Sequence, residues 1–112
     1  MGVSQHSLIL KNDGTVWGCG YNSYGQLGDN TTTNNRKTLV QMTNATDVKA
    51  IACGNNFTLI LKNDGTVWGC GSNYYGQLGD GTTTPNQTTL VQMKNATDVK
   101  AIPCGNSHTL IL

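Results

Sequence analysis

Residues 8–61 and 59–112 align at a shift of 51 and agree at 44 of 54 positions. One structural unit is written twice. A period of this length suits an array in which each unit buries its apolar surface against the next. A partial third copy closes the chain, Ser107 to Leu112 matching Gln5 to Leu10. The chain therefore divides into repeats of approximately 8–58 and 59–109, with the partial copy running to 112, within a single two-unit domain. Copies this alike fit either recent duplication or deliberate design.

The repeat opens on Leu8-Ile9-Leu10, then Asn12-Asp13-Gly14, then Val16-Trp17-Gly18-Cys19-Gly20; the second copy spells the same from Leu59 to Gly71. Two apolar runs flanking Asn-Asp-Gly, residue types that tolerate positive φ, predict a β-hairpin. Three consecutive large apolar residues instead of an alternation predict a strand covered on both faces. Gly18 and Gly20 predict a bulge or a close backbone approach. A long loop, Tyr21 to Lys37, contains Gly25-Gln26-Leu27-Gly28-Asp29, and a loop of that length is either functional or a crossover between units. Thr38 to Met42 and Val48 to Cys53 read as further strands, joined by Asn44-Ala45-Thr46-Asp47. Pro85 and Pro103 stand in the second copy where the first has Asn34 and Ala52. No stretch carries a helical apolar period.

Composition supports this reading and narrows the function classes. Charged residues make up only 12% of the chain, while Asn and Thr abound, which suits strands and turns better than helices. A net charge of +1 argues against a surface built to neutralise nucleic-acid phosphates. The sequence has no apolar run of the roughly 20 residues that span a bilayer and no recognisable leader, so a cytoplasmic location is expected. Cys19, Cys53, Cys70 and Cys104 show no Cys-x-x-Cys spacing, and the two histidines, His6 and His108, lie far apart in sequence. No metal and no cofactor are expected. The cysteines read instead as small buried hydrophobes, with a disulfide between repeats left open. Five Asn-x-Ser/Thr triplets follow from the abundance of both residues.

Catalytic signatures are missing from the sequence. Gly18-Cys19-Gly20 does not complete a dinucleotide-binding glycine motif, and no lysine follows a glycine loop as in a phosphate-binding loop. Cys19 or Cys53 with His6 or His108 lacks any local signature of a nucleophile and its base. Asp29 and Asp80 recur one unit apart and read as loop hydrogen-bond acceptors. Trp17 and Trp68, one per unit, read as packing residues. A non-enzyme is expected.

Four antiparallel strands per period predict an all-β fold of two four-stranded propeller blades. Trp17-Gly18, Tyr24-Gly25-Gln26-Leu27-Gly28, Ala52-Cys53-Gly54 and Leu59-Ile60-Leu61 followed by Asn63-Asp64-Gly65 resemble the repeat of the regulator of chromosome condensation family. The second copy keeps Trp68-Gly69, Tyr75-Gly76-Gln77-Leu78-Gly79, Cys104-Gly105 and His108-Thr109-Leu110; Phe57-Thr58 departs from the His-Thr spelling. The resemblance implies blades arranged round an axis and closed by strands from both chain ends. Known members include a nucleotide exchange factor for a small GTPase, chromatin binders and beta-lactamase inhibitor proteins, so a protein-binding role is the alternative it implies.

Two units alone would leave both outer flanks wet. Losing four or five large side chains from burial on a flank costs of order 10 kcal/mol, against a typical domain stability of about 5–15 kcal/mol. The chain is therefore expected to complete a ring with copies of itself, a homotrimer of six blades being favoured and a homotetramer of eight the alternative. The duplicated Leu-Ile-Leu strand, Leu8 to Leu10 and Leu110 to Leu112, suggests a latch between copies. Differences between the repeats concentrate in the loops. Tyr21, Tyr24, Arg36, Lys37, Tyr74 and Tyr75 are accordingly the candidate partner-binding residues.

Overall fold

The computed structural model describes residues 6–32, 35–54, 56–73, 76, 78–81 and 86–100. Seven strands follow in order: β1 (His6–Leu10), β2 (Val16–Tyr21), β3 (Asn35–Gln41), β4 (Val48–Cys53), β5 (Phe57–Lys62), β6 (Val67–Ser72) and β7 (Asn86–Gln92). They form two antiparallel sheets, one in the order β1-β2-β3 and one in the order β4-β5-β6-β7. The described residues contain no helix. Tyr74, Tyr75, Gln77, Pro85, Pro103, Cys104, His108 and the third copy of the Leu-Ile-Leu run lie outside the described residues.

The hairpins form where the sequence places them, through local hydrogen bonds. In the first, Lys11 N donates to Thr15 O at 2.9 Å and Gly14 N to Lys11 O at 3.0 Å; the second repeats both bonds at Lys62, Thr66 and Gly65. Of Asn-Asp-Gly only the glycine takes positive φ, 83° at Gly14 and 85° at Gly65. This is the three-residue loop with a left-handed glycine rather than a two-residue turn. The aspartate serves otherwise: Asp13 Oδ1 accepts from Thr15 N and Thr15 Oγ1, and Thr15 Oγ1 in turn accepts from Trp17 Nε1 at 3.1 Å. Lys11 Nζ lies 4.3 Å from the Trp17 ring centroid, and Lys62 repeats this at 4.9 Å over Trp68. Trp17 and Trp68 are thus structural parts of the hairpins.

The glycines behave as expected of a bulge. Register shifts between Gly18 and Gly20 against β3, and between Gly69 and Gly71 against β7. Gly71, at φ 104°, has no room for a side chain, since a Cβ would lie 2.5 Å from Asn56 O.

The sheets and the sequence repeat are out of phase. β4, the last strand of the first period, pairs with β5 and not with β3. The link from β3 to β4 therefore passes from one sheet to the next and ties them covalently.

Alternation along the strands sorts the apolar residues into faces. Leu8, Leu10, Val16, Met42, Ala45 and Val48 form one core with Ile51, Ile60, Trp68, Cys70 and Leu90 of the second sheet. A second core, on the other side of the second sheet, holds Phe57, Leu59, Leu61, Val67, Leu78, Met93, Ala96 and Val99. Here the structure corrects two expectations. β5 is covered on both faces, Leu59, Ile60 and Leu61 all being fully buried, but in β1 Ile9 is 45% exposed and Leu8 and Leu10 are only half-buried. Among the described residues the near side of the first sheet is open while the apolar residues on the far side of the second are buried, against the expectation that both flanks are wet. The position of the strand in the stack, not its letters, sets its burial.

Candidate interaction surface

The loop after β2 is a joint between the blades. Asn22 is fully buried and organises it: its Oδ1 accepts from Leu27 N at 2.9 Å, and its Nδ2 donates to Asp29 Oδ1 and to Thr31 O, each at 3.2 Å. The loop then lies along the second sheet, where Asn30 N donates to Thr88 O at 2.9 Å. A Cβ on Gly25 would come within 2.8 Å of the Thr88 Cα, so glycine is required for this approach.

Beneath the loop is a buried polar chain that bridges the sheets. Thr58 Oγ1 donates to the Gln26 carbonyl oxygen at 2.7 Å, Cys70 Sγ lies 3.4 Å from the same oxygen, and His6 Nε2 lies 3.1 Å from Thr58 Oγ1. Because the threonine proton goes to Gln26, His6 Nε2 carries the hydrogen in this contact. Burial lowers the His6 pKa to about 4 and raises that of Cys70 far above the ordinary thiol value. A neutral imidazole held by a threonine and a thiol kept protonated do not make a nucleophile and its base. The repeated Gly-Gln-Leu-Gly was the sequence signal for this joint, but the cross-sheet partners of Gln26 are 32 and 44 residues away and no pattern announces them.

The cysteines divide by position. Cys70 is buried, Cys19 half-buried and Cys53 exposed, so among the described cysteines the reading as buried hydrophobes holds for Cys70 alone, and Cys104 lies outside the described residues. Cys53 and Cys70 both pair with Thr58, from opposite sides. Two strand spacings, roughly 10 Å, separate them, beyond the Cα distance a disulfide bridges.

Of the candidate partner-binding residues, Tyr21 and Tyr24 stand edge to face, ring centroids 6.2 Å apart at 66°, both half-buried. Arg36, opposite Gly20 at the start of β3, reaches back to Asp29: Nη2 to Oδ2 is 3.1 Å. Burial is the largest influence on Asp29 and works to raise its pKa. Hydrogen bonds from Thr31 and Asn22, with the Arg36 charge, outweigh it and hold the carboxyl below its ordinary value. Asp80 takes the same place in the second repeat, accepting from Asn73 and Gln87. Lys37 is exposed. Tyr21, Tyr24, Arg36 and Lys37 thus share one end of the first sheet, with Arg36 committed to its ion pair; Tyr74 and Tyr75 lie outside the described residues.

The wet flank that the two-unit count predicts is the open face of the first sheet, though the sequence did not name its residues. Ser7 stands opposite Cys19 and Ile9 opposite Trp17 in the β1–β2 register, and Leu39 falls on the same side of β3. Among the described residues Ile9 and Leu39 are the exposed large apolar side chains, at 45% and 42%. The equivalent residues of the second sheet, Thr58, Ile60, Trp68, Cys70 and Leu90, are those that dock onto the first. Among the described residues no cluster of three or more His, Cys, Asp or Glu is placed to hold a metal ion, and no helix is long and apolar enough to cross a membrane.

Comparison with known proteins agrees with this geometry. Two family models, both described as the regulator of chromosome condensation (RCC1) repeat, match the chain, one over residues 13–61 and 64–112 and the other over 48–77. The chain is 35% identical over 113 residues to the protein RCC2 homolog of Danio rerio, covering 96% of this chain and 22% of that relative. In fold it is similar to human WBSCR16, with a TM-score of 0.88 at 23% identity, over 98% of this chain and 29% of that one. It is also similar to Prp20p from Saccharomyces cerevisiae, with a TM-score of 0.81 at 18% identity, over 97% and 30%. The chain spans about a fifth of the curated relative and under a third of each solved propeller. Hairpins with a left-handed glycine, bulged glycine strands, a buried Gln-Leu-Gly joint and two stacked antiparallel sheets are together the work of one repeat, and the chain belongs to the RCC1 repeat family.

Proposed function

We propose that the chain is a non-catalytic interaction module whose two blades stack with blades of further copies to complete a propeller, three copies giving six blades in preference to four giving eight. The observation that carries this is the contrast between Ile9 and Ile60. They occupy the same position of the repeat, yet Ile60 is fully buried against the first sheet and Ile9 is 45% exposed. Leu39 is likewise exposed where Leu90 packs into the core. A face already shaped to dock on a blade of this kind is best covered by another such blade. Light-scattering mass measurement across a concentration series tests this. A species of three or four chains, reduced to single chains by Ile9→Asp, is the expected result; a folded single chain at every concentration overturns it.

A protein-binding role is the second reading. The solved Prp20p is described by its binding to Gsp1p and histones, and the Tyr21–Tyr24 pair beside exposed Lys37 is the surface here that such a role would use. Titrating the chain with Gsp1p and with histones checks it. Binding lost in Tyr21→Ala and Lys37→Ala supports the role, and binding unaffected by both removes this surface from it.

A further inference from the structure

Aspartate is followed by glycine at three places, Asp13-Gly14, Asp64-Gly65 and Asp80-Gly81. Such a pair is reactive because glycine has no side chain to shield its backbone nitrogen from the carboxyl before it. When that nitrogen attacks the aspartate Cγ, a C–N bond forms, the nitrogen gives up its proton, and one carboxyl oxygen leaves as water. Water then opens the resulting succinimide at the former main-chain carbonyl, so that the chain runs on through the side chain as isoaspartate. The reaction needs no oxidant and no co-reactant besides water, and it leaves the mass unchanged.

Two of the three pairs sit in the hairpin turns, where Asp13 and Asp64 are exposed to water. Each is restrained in the same way. Asp13 Oδ1 accepts from Thr15 N at 3.0 Å and from Thr15 Oγ1 at 2.6 Å, and Thr15 Oγ1 is itself fixed by Trp17 Nε1 at 3.1 Å. The Gly14 nitrogen is engaged as well, donating to Lys11 O at 3.0 Å. Around Asp64 the same bonds recur: Thr66 N and Thr66 Oγ1 donate at 3.0 and 2.6 Å, Trp68 Nε1 reaches Thr66 Oγ1 at 3.0 Å, and Gly65 N donates to Lys62 O at 3.0 Å. The bonds from Thr15 and Thr66 are also the main cause that holds both carboxyls below their ordinary pKa, and so in the carboxylate form, which has no water to lose. Asp80 is held differently, by Asn73 Nδ2 at 3.4 Å and Gln87 Nε2 at 3.2 Å.

We propose that Asp13-Gly14 and Asp64-Gly65 are isomerisation sites, latent while the threonine that follows each glycine ties up the carboxylate. Both threonine bonds to Oδ1 must break before Cγ can turn onto the glycine nitrogen. The indole N–H keeps the threonine hydroxyl in place, so Trp17 and Trp68 act on their turns through Thr15 and Thr66. Isoaspartate lengthens the backbone of the turn by a carbon atom and displaces the glycine carbonyl. That carbonyl holds the link that follows: Gly14 O accepts from Val48 N at 3.1 Å, and Gly65 O from Val99 N at 3.0 Å. Modification of a turn therefore loosens the link packed against it.

The test incubates the full chain both folded and in denaturing urea, then maps isoaspartate peptide by peptide with electron-transfer fragmentation. In urea all three pairs are expected to isomerise, whereas in the folded chain Asp13 and Asp64 should stay aspartate. Thr15→Val keeps the shape of the side chain but not its hydroxyl. It should raise the folded rate at Asp13 about tenfold, as expected for a lost hydrogen bond to a charged group, with Asp64 and Asp80 unchanged. Thr15→Ser should restore the wild-type rate, and Thr66→Val should move the effect to Asp64. Circular dichroism melts verify that each variant is folded at the incubation temperature. Hairpin pairs that stay intact in urea, or that isomerise as fast folded as unfolded, overturn the proposal. So does a Thr15→Val chain whose Asp13 is as inert as in the wild type. A rise at all three pairs together also overturns it, since general loosening and not the threonine would then control the chemistry.

Discussion

His6 shows how a single residue can make the blade joint sensitive to acid. Its ring is buried between the sheets on Thr58, and desolvation lowers its pKa from 6.5 to about 4. The folded chain thus refuses a proton that the unfolded chain accepts anywhere between those values. Stability is whole above pH 6.5 and falls as the pH drops towards 4, by up to about 3 kcal/mol from this group. Asp29, whose carboxyl is held below its ordinary 3.8, adds its loss only at lower pH still. Urea unfolding midpoints between pH 7 and 4 check this. The wild type should lose stability steadily, and His6→Gln, which can still donate to Thr58 but does not titrate in this range, should be flatter over it. Parallel curves would mean the ring is not desolvated. In the sequence His6 was one of two histidines without a role, because its role comes from Thr58 and Gln26 on other elements.

At the scale of the element, equal letters meet unequal surroundings. β1 and β5 share Leu-Ile-Leu, and both pair with a Val-Trp-Gly-Cys strand in the same register. Ile60→Ala should cost about 2–5 kcal/mol, as expected for a fully buried isoleucine that leaves a cavity. Ile9→Ala, measured on dilute single chains, should cost less than about 1 kcal/mol because its side chain already meets water. Denaturant titration of the two variants side by side decides it, and equal losses would refute the open face. The hairpins themselves were legible because their determinants lie within about five residues: the glycine that supplies positive φ, and the aspartate that Thr15 or Thr66 satisfies. The loop from Asn22 onward was legible only as a loop. Its course is settled by Thr88 and by the Cβ that Gly25 lacks, contacts that exist once the second blade is in place.

For the whole molecule, the stacking of blades yields a prediction about thiols. Cys19 and Cys70 are repeat equivalents, half-buried and buried respectively. If a further blade covers the first sheet, Cys19 enters the environment Cys70 already has. Alkylation followed by peptide mapping should find Cys19 reactive in dilute solution and protected to the level of Cys70 at concentrations where the mass rises. A rising mass with Cys19 unchanged would place the junction elsewhere. By itself the sequence determined the repeat, the all-β class, the hairpins with their bulges and the kinship with a propeller family, because periodicity and turn chemistry are local and are written in consecutive residues. Only the tertiary structure decided that β4 joins the following sheet, that among the described residues the near face of the first sheet is open while the far face of the second is buried, and that Asn22 and Gln26 build a buried joint. Those outcomes depend on which copy of an identical segment has a neighbour, and burial by a neighbour is a property of the stack, not of the letters.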